Sequence, residues 1–288
     1  MSKEFKSFYK TVGGNEGTKC HYPTRLDTYG CGCAHDCKYC YAKSLLAFRK
    51  LWNPEDPSVV DTKKVERLVR KIPRGSVVRL GGMTDCFQPC ELKHRATFRT
   101  IKILNRYRIG YLIVTKSGIV GYDEYLDLLD PELAHVQITT TTTDAKISAS
   151  LEVATAPEGR IWAAERLQAK GIDTALRLSP YLPGLIDLDR IKAAKVDKIV
   201  LEFLRVNSWT RKWIGDLIDL SPYTLKSGGY QHLPLDEKKK LAQEVKDGTG
   251  KVVSVCEDED TAYEFWKSGF NPNPDDCCNL TFTNKGEY

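Results

Sequence analysis

The chain has 288 residues, 41% hydrophobic and 28% charged, with a formal net charge of +5, the balance of a soluble globular protein with one large domain or two modest ones. No apolar run approaches the roughly 20 residues that span a bilayer, and the polar N-terminal stretch MSKEFKSFYKTVGG has no signal-peptide core. We therefore expect a cytoplasmic protein without membrane association, in which ten cysteines favour metal binding or catalysis over disulfides.

In chain order, the sequence alternates short β-branched runs with longer amphipathic stretches. GSVVRLGG (75–82) reads as a buried strand, ELKHRATFRTIKILNRYR (91–108) as a helix and IGYLIVTKSG (109–118) as a strand. DEYLDLLD (123–130) is a short helix, and HVQITTTTTD (135–144) a strand. APEGRIWAAERLQAKG (156–171) is a helix opened by Pro157 and closed by Gly171. DTALRLSP (173–180) is a strand, LDRIKAAK (188–195) a helix and VDKIVLEFL (196–204) a strand. PLDEKKKLAQEVKDG (234–248), KVVSV (251–255) and DTAYEFWKSG (260–269) add helix, strand and helix before a polar tail. At least five alternations of strand and helix predict parallel βαβ units, in an α/β barrel or a doubly wound sheet.

Charge is uneven along this pattern. Residues 38–108 hold 17 Lys or Arg against 6 Asp or Glu. Such a segment suits an anionic partner such as a nucleic acid or nucleotide, or else is a solvated helix face. Ligands of parallel α/β sheets sit at the carboxyl ends of the strands. Here those ends read GGMTDC, TKS, TTTTD, RLSP, NSW and CED, rich in glycine, hydroxyls and thiols, with Lys116 and Arg177 among them.

Four cysteines fall within YGCGCAHDCKYCYAKS (29–44). Cys33, Cys37 and Cys40 are spaced C-x3-C-x2-C, which lets three thiolates face one metal and leaves a fourth position open. That spacing fits a [4Fe–4S] cluster ahead of zinc, for which Cys31 or His35 could be the fourth ligand. His35 reads more readily as a packing or hydrogen-bonding residue.

With Tyr39 before the last cysteine, this motif resembles the signature of the radical S-adenosylmethionine superfamily. YGCGCAHDCKYCYAKS, GGMTDCFQPCE, VTKSG, LEVATAPEGR and LRLSPYLPGL resemble, in order, motifs of its spore photoproduct lyase and DNA-repair-photolyase-like group, over roughly residues 26–205. The resemblance implies a partial (β/α)6 barrel over residues 26–248, preceded by an N-terminal arm (1–25) and followed by a C-terminal strand, helix and cysteine-bearing tail (249–288), in one folding unit. It implies a [4Fe–4S] cluster on Cys33, Cys37 and Cys40 whose fourth iron takes S-adenosylmethionine. Reductive cleavage would yield a 5′-deoxyadenosyl radical that abstracts hydrogen from a substrate, with a flavodoxin- or ferredoxin-type protein as electron donor. Carried over by position, Tyr39 lies by the adenine, Gly81 and Gly82 by the methionine amino group, and Thr84, Lys116 and Thr139 contact the cofactor, Lys116 through the carboxylate. Glu152 and Arg177 match further polar positions and are further cofactor-binding candidates. For Thr84, Thr139 and Glu152 the alternative is capping of loops and helices.

The chain departs from the group at Gly82, where spore photoproduct lyases carry a hydrogen-donor cysteine. Cys86 and Cys90 follow instead, and Cys86 is the candidate catalytic donor from a shifted place. In the tail, Cys256, Cys277 and Cys278 are candidate ligands of a second iron–sulfur cluster or metal, with Cys86 or Cys90 as a further ligand, against a reading as buried free thiols. Cys20 and Cys31 are unassigned. The expected function is a radical S-adenosylmethionine enzyme acting on a nucleic-acid base or nucleotide, by repair-type lysis, base modification or rearrangement. The alternative is a non-enzymatic, metal- or cluster-stabilised nucleic-acid-binding module.

Overall fold

The computed structural model describes residues 7–10, 19–257 and 259–282, so most of the expected N-terminal arm lies outside the described residues. The main sheet has eight strands in strict chain order: β1 (Phe8–Lys10), β2 (Thr24–Leu26), β3 (Val77–Leu80), β4 (Gly110–Thr115), β5 (Ala134–Thr139), β6 (Asp173–Tyr181), β7 (Lys198–Phe203) and β8 (Val252–Val255). β1 pairs antiparallel with β2, and β2 to β8 are all parallel. Parallel neighbours need a crossover, and helices supply it. α1 (Tyr41–Phe48) and α2 (Thr62–Val69) join β2 to β3, and α3 (Ala96–Arg106) joins β3 to β4. α4 (Asp123–Leu126) leads to β5, and α5 (Ala145–Leu151) with α6 (Pro157–Ala169) leads to β6. α7 (Leu188–Ala193) leads to β7, and α8 (Leu235–Thr249) to β8. Every residue of β5 is buried, as expected of a strand covered on both faces.

The result is the expected α/β partial barrel, with seven parallel strands rather than six. The seventh is β8, whose run KVVSV was expected beyond the barrel. It pairs in register with β7, Val252 opposite Lys198 to Val255 opposite Leu201. The sheet stays open, with β1 and β8 at its edges. It nevertheless curls until its two sides meet: Lys19, ahead of β2, pairs with Asp260, and the Tyr22 hydroxyl donates to Asp276 at 2.7 Å.

The stretch 91–108 was expected as one helix and is two, Glu91–His94 and α3. Arg95 breaks it in a left-handed conformation (φ 52°), its guanidinium 4.1 Å from the centre of the Phe98 ring. The break frees amides that Glu91 collects. Its buried carboxylate accepts from Thr97 N and Phe98 N, both at 2.9 Å, from the Tyr125 hydroxyl at 2.6 Å and from the Tyr29 hydroxyl. We expect Glu91→Ala, which strands two buried phenols and two amides, to cost about 3 kcal/mol in urea unfolding; a loss within experimental error would show that solvent replaces the carboxylate.

Candidate functional site

The cysteine-bearing segment leaves the sheet after β2 and is strapped down from three directions. Lys38 N donates to Leu151 O at 2.9 Å and Val153 N to His35 O at 2.7 Å, tying it to the end of α5. Ala34 N donates to the Gln88 side chain at 3.1 Å. At Gly32 a Cβ would lie 2.1 Å from the Asn53 carbonyl oxygen, so only glycine fits this approach. Cys40 then opens α1, its Sγ accepting from Lys43 N at 3.4 Å. The turns bring Cys33, Cys37 and Cys40 to the wall of one cavity of about 240 Å³ at the carboxyl ends of the parallel strands. Cys31 (φ 59°) turns the chain and lies outside that wall.

The strand ends form the rest of the wall. Gly81 sits at φ 83°, where a Cβ would meet the Val114 carbonyl oxygen at 3.1 Å. Gly82 N donates to Asp27 Oδ1 at 2.6 Å, while Gly82 O accepts from the Tyr41 hydroxyl at 2.7 Å. Asp85 is the organiser of this rim. It accepts from the Thr115 hydroxyl and from Lys116 N, both at 2.7 Å, and meets His35 Nε2 at 3.3 Å. Burial works to raise the Asp85 carboxyl, but His35 and these donors hold it below its ordinary value. His35 is thus a hydrogen-bonding residue, its other nitrogen facing Val153 O at 3.3 Å.

Lys116 reaches the wall with Nζ 3.0 Å from Ser179 O and 5.2 Å from the centre of the Tyr39 ring. Burial lowers its ammonium to about 8. Tyr39 and Thr139 also line the cavity. Glu152 does not. It is buried behind the wall, ion-paired with the equally buried Arg160 and accepting from the Tyr39 hydroxyl and from Cys37 Sγ at 3.6 Å. Its place is a support beneath Cys37 and Tyr39 rather than the cofactor contact the resemblance suggested. Thr84 lines the cavity, but its hydroxyl donates to the Tyr29 carbonyl, the loop-capping alternative.

Cys86 lies away from the cavity. It is 1% exposed, packed in the core beside Phe87, and absent from the cavity wall. The turn that aims Asp85 into the rim sends the next side chain the other way. Cys90, which begins the turn of helix Glu91–His94, is also off the wall. We expect Cys86→Ala to leave 5′-deoxyadenosine formation at the parent level while costing about 1 kcal/mol of stability. Loss of turnover in a folded variant would restore Cys86 as a donor.

The three tail cysteines converge on the same cavity. Cys256, Cys277 and Cys278 lie within electrostatic reach of one another, and Arg177 within reach of Cys256 and Cys278. Arg177 is 2% exposed, donating to Gln137 Oε1 at 2.7 Å and Glu202 Oε2 at 2.6 Å. Sequence reasoning missed Asp27, Asp85, Glu202 and Arg205, of which all but Asp27 line the cavity; Asp85 alone stood in a quoted strand-end motif.

The donor set suits the group it was expected to hold: three thiols of one short motif on one wall, beside a glycine edge that leaves backbone exposed. Among the described residues, no group of three or more His, Cys, Asp or Glu side chains is placed to hold a metal ion without side-chain rearrangement; Cys37 is turned toward Glu152.

A protein of Methanocaldococcus jannaschii described as uncharacterised is 26% identical over 162 residues, 56% of this chain and 61% of its own length. One of Mycobacterium bovis is 26% identical over 202 residues, 63% and 59% of the two chains. The match therefore spans about three fifths of these relatives. Among solved structures, spore photoproduct lyase complexed with dinucleoside spore photoproduct aligns at TM-score 0.58 and 15% identity, over 86% of this chain and 75% of that one. Streptococcus suis SuiB bound to precursor peptide SuiA aligns at 0.54 and 15%, over 85% and 51%. These two likenesses establish the shared fold. The Radical SAM superfamily profile matches residues 28–196, more than half of the chain and the whole stretch from the cysteine motif to the strand before β7, and the chain belongs to that superfamily.

Proposed function

We propose that this protein is an enzyme in which Cys33, Cys37 and Cys40 hold a [4Fe–4S] cluster, and that it takes a hydrogen atom from a nucleic-acid base or nucleotide. The observation that carries this reading is the gathering of the three motif thiols with Tyr39, Gly81, Gly82, Lys116 and Thr139 around one cavity. When bound, the cluster supplies the electron that splits S-adenosylmethionine into methionine and a 5′-deoxyadenosyl radical. The chain's own residues do the rest. Gly81 and Gly82 let the amino-acid end of the cofactor approach the backbone, and the Asp27 and Asp85 carboxylates hold that edge rigid. Lys116 offers a cation to the cofactor carboxylate. Burial of the wall keeps water from a reactive radical. The electron comes from a flavodoxin- or ferredoxin-type protein, and the abstracted hydrogen leaves in 5′-deoxyadenosine.

Two observations favour an anionic substrate. The cavity wall carries Lys19, Arg79, Lys116, Arg177 and Arg205 against Asp85, Glu202 and Glu257, and the similar spore photoproduct lyase binds a dinucleoside. The basic segment 38–108 contributes less, since Arg70 and Arg106 lie on the outer helices, paired with Glu66. Among the described residues no helix is long and apolar enough to cross a membrane.

The test is anaerobic reconstitution with iron and sulfide, reduction with dithionite, and quantitation of 5′-deoxyadenosine with and without single-stranded, duplex and mononucleotide substrates carrying deuterium. Deuterium transfer into 5′-deoxyadenosine from a nucleic-acid component is the expected result. An intact cluster that forms no 5′-deoxyadenosine overturns the enzyme reading. One zinc per chain without sulfide would leave a metal-stabilised binding module. Turnover stimulated by peptides and not by any nucleic acid would overturn the substrate class.

A further inference from the structure

We propose that Cys20, Cys256, Cys277 and Cys278 form a second metal centre with four thiolate ligands, in the wall of the same cavity as the first three. Four cysteine thiolates are a complete set for a soft metal, whether an iron–sulfur cluster or zinc.

Three segments that are distant in sequence meet there. Cys20 precedes β2, Cys256 follows β8, and Cys277 and Cys278 come from the tail. All four line the cavity. Cys20, Cys277 and Cys278 pack in one cluster with Tyr22, Leu112 and Val114, and Cys20 lies within electrostatic reach of Cys256.

The place is built rather than incidental. The thiol-bearing turn has no helix or strand of its own, yet its backbone is held on every side. Ser254 Oγ donates to Cys277 O at 2.9 Å, and Gln137 Nε2 to Cys278 O at 3.4 Å. Asp276 receives Cys278 N at 2.9 Å, Leu280 N at 3.0 Å and the Tyr22 hydroxyl at 2.7 Å. Asn271 clamps Val255 N at 2.7 Å and Val255 O at 3.1 Å, fixing the strand end that carries Cys256. These contacts leave the four thiol side chains as the adjustable parts of a pinned frame.

The surroundings also carry the charge that such a centre needs. Four thiolates around a divalent metal or a doubly charged cluster leave a net charge of about −2. Arg25 Nη2 donates to Cys20 Sγ at 3.3 Å, and Arg177, ion-paired with Glu202, lies within electrostatic reach of Cys256. Both guanidiniums are 2% exposed. Neutral thiols filling a core need no buried arginine donating to a sulfur, as Arg25 does to Cys20; a thiolate cage does. On ligation the four thiol protons pass to solvent. The centre is independent of Cys33, Cys37 and Cys40, and either set can fail without the other.

Metal content of the full chain, reconstituted anaerobically with iron, sulfide and a thiol reductant, is the first measurement. About eight iron per chain, or about four iron with one zinc, supports the second centre, and the zinc content separates the two metals. About four iron and no zinc overturns it. The second measurement is on the variant Cys33→Ala/Cys37→Ala/Cys40→Ala, its folding checked by circular dichroism. It should keep about half the iron and sulfide of the parent, or its zinc. Adding Cys20→Ala should then reduce that metal by more than half; an unchanged content removes Cys20 from the set. Conversely, Cys256→Ala/Cys277→Ala/Cys278→Ala should lose the second centre and keep the first. Disulfides among these four cysteines in the anaerobic protein, with no metal beyond the first cluster, would also overturn the proposal.

Discussion

Replacing Cys37 by Ala is expected to reduce 5′-deoxyadenosine formation by more than about 100-fold, a larger loss than removing an outer partner of a metal ligand. The same change should strip the iron bound by the first thiol set. The argument is positional. Cys37 lies between Cys33 and Cys40 on the cavity wall, buried, with Glu152 behind it. Cys31, only six residues earlier, is off the wall, and its carbonyl is taken by Asn53 N. Cys31→Ala should therefore keep both its iron and its turnover. The two variants differ by one thiol each, so composition and fold are controlled. Equal loss of cluster in both, measured as iron and sulfide per chain, would show that the ligand assignment is wrong.

The largest stability effect should come from behind the same wall. Glu152→Ala is expected to cost about 3–5 kcal/mol, because it leaves a guanidinium buried without its counter-charge. The side chains of Glu152 and Arg160 are both 0% exposed. Arg160 would retain only neutral acceptors, among them Thr139 O at 3.2 Å. The same substitution removes the Glu152 partner of the Tyr39 hydroxyl, which keeps only Thr141 at 2.9 Å, and of the Cys37 thiol, so a folded variant should also hold its cluster more weakly. Arg160→Met added to Glu152→Ala should recover part of the loss, since neither charge is then stranded. Urea unfolding of the four proteins in this cycle checks it. A loss below about 1 kcal/mol for Glu152→Ala would mean that water reaches the pair.

How far the sequence could be read depended on the range of the signal. The strands at 110–115, 134–139, 173–181 and 198–203 and the helix at 157–169 announce themselves through β-branched runs, amphipathic spacing and a proline start. Thr24–Leu26 gives no such signal, because three residues carry no period. The hairpin Leu225–Ser227 with Tyr230–His232 carries a local signal: Gly228 and Gly229, at φ 57° and 81°, are the pair that a two-residue turn demands. The break at Arg95 was not legible, because the residues on both sides suit a helix, and Glu91, itself a good helix former in the same stretch, accepts from Thr97 N and Phe98 N only through the tertiary turn.

By itself, the sequence determined the alternation that makes a parallel sheet, and a thiol triad at C-x3-C-x2-C spacing. Both are short-range properties, set by backbone periodicity and by the reach of side chains a few residues apart. Only the tertiary structure decided which neighbouring polar residues face the cavity. A non-repeating turn has no period, so Asp85 enters the rim while Cys86 enters the core. It also decided that Glu152 stands behind the wall. Finally it brought Cys20 to Cys256, Cys277 and Cys278. That meeting depends on the curl of an open sheet and on a contact such as Tyr22 with Asp276, 254 residues apart, and no local pattern encodes a contact across that distance.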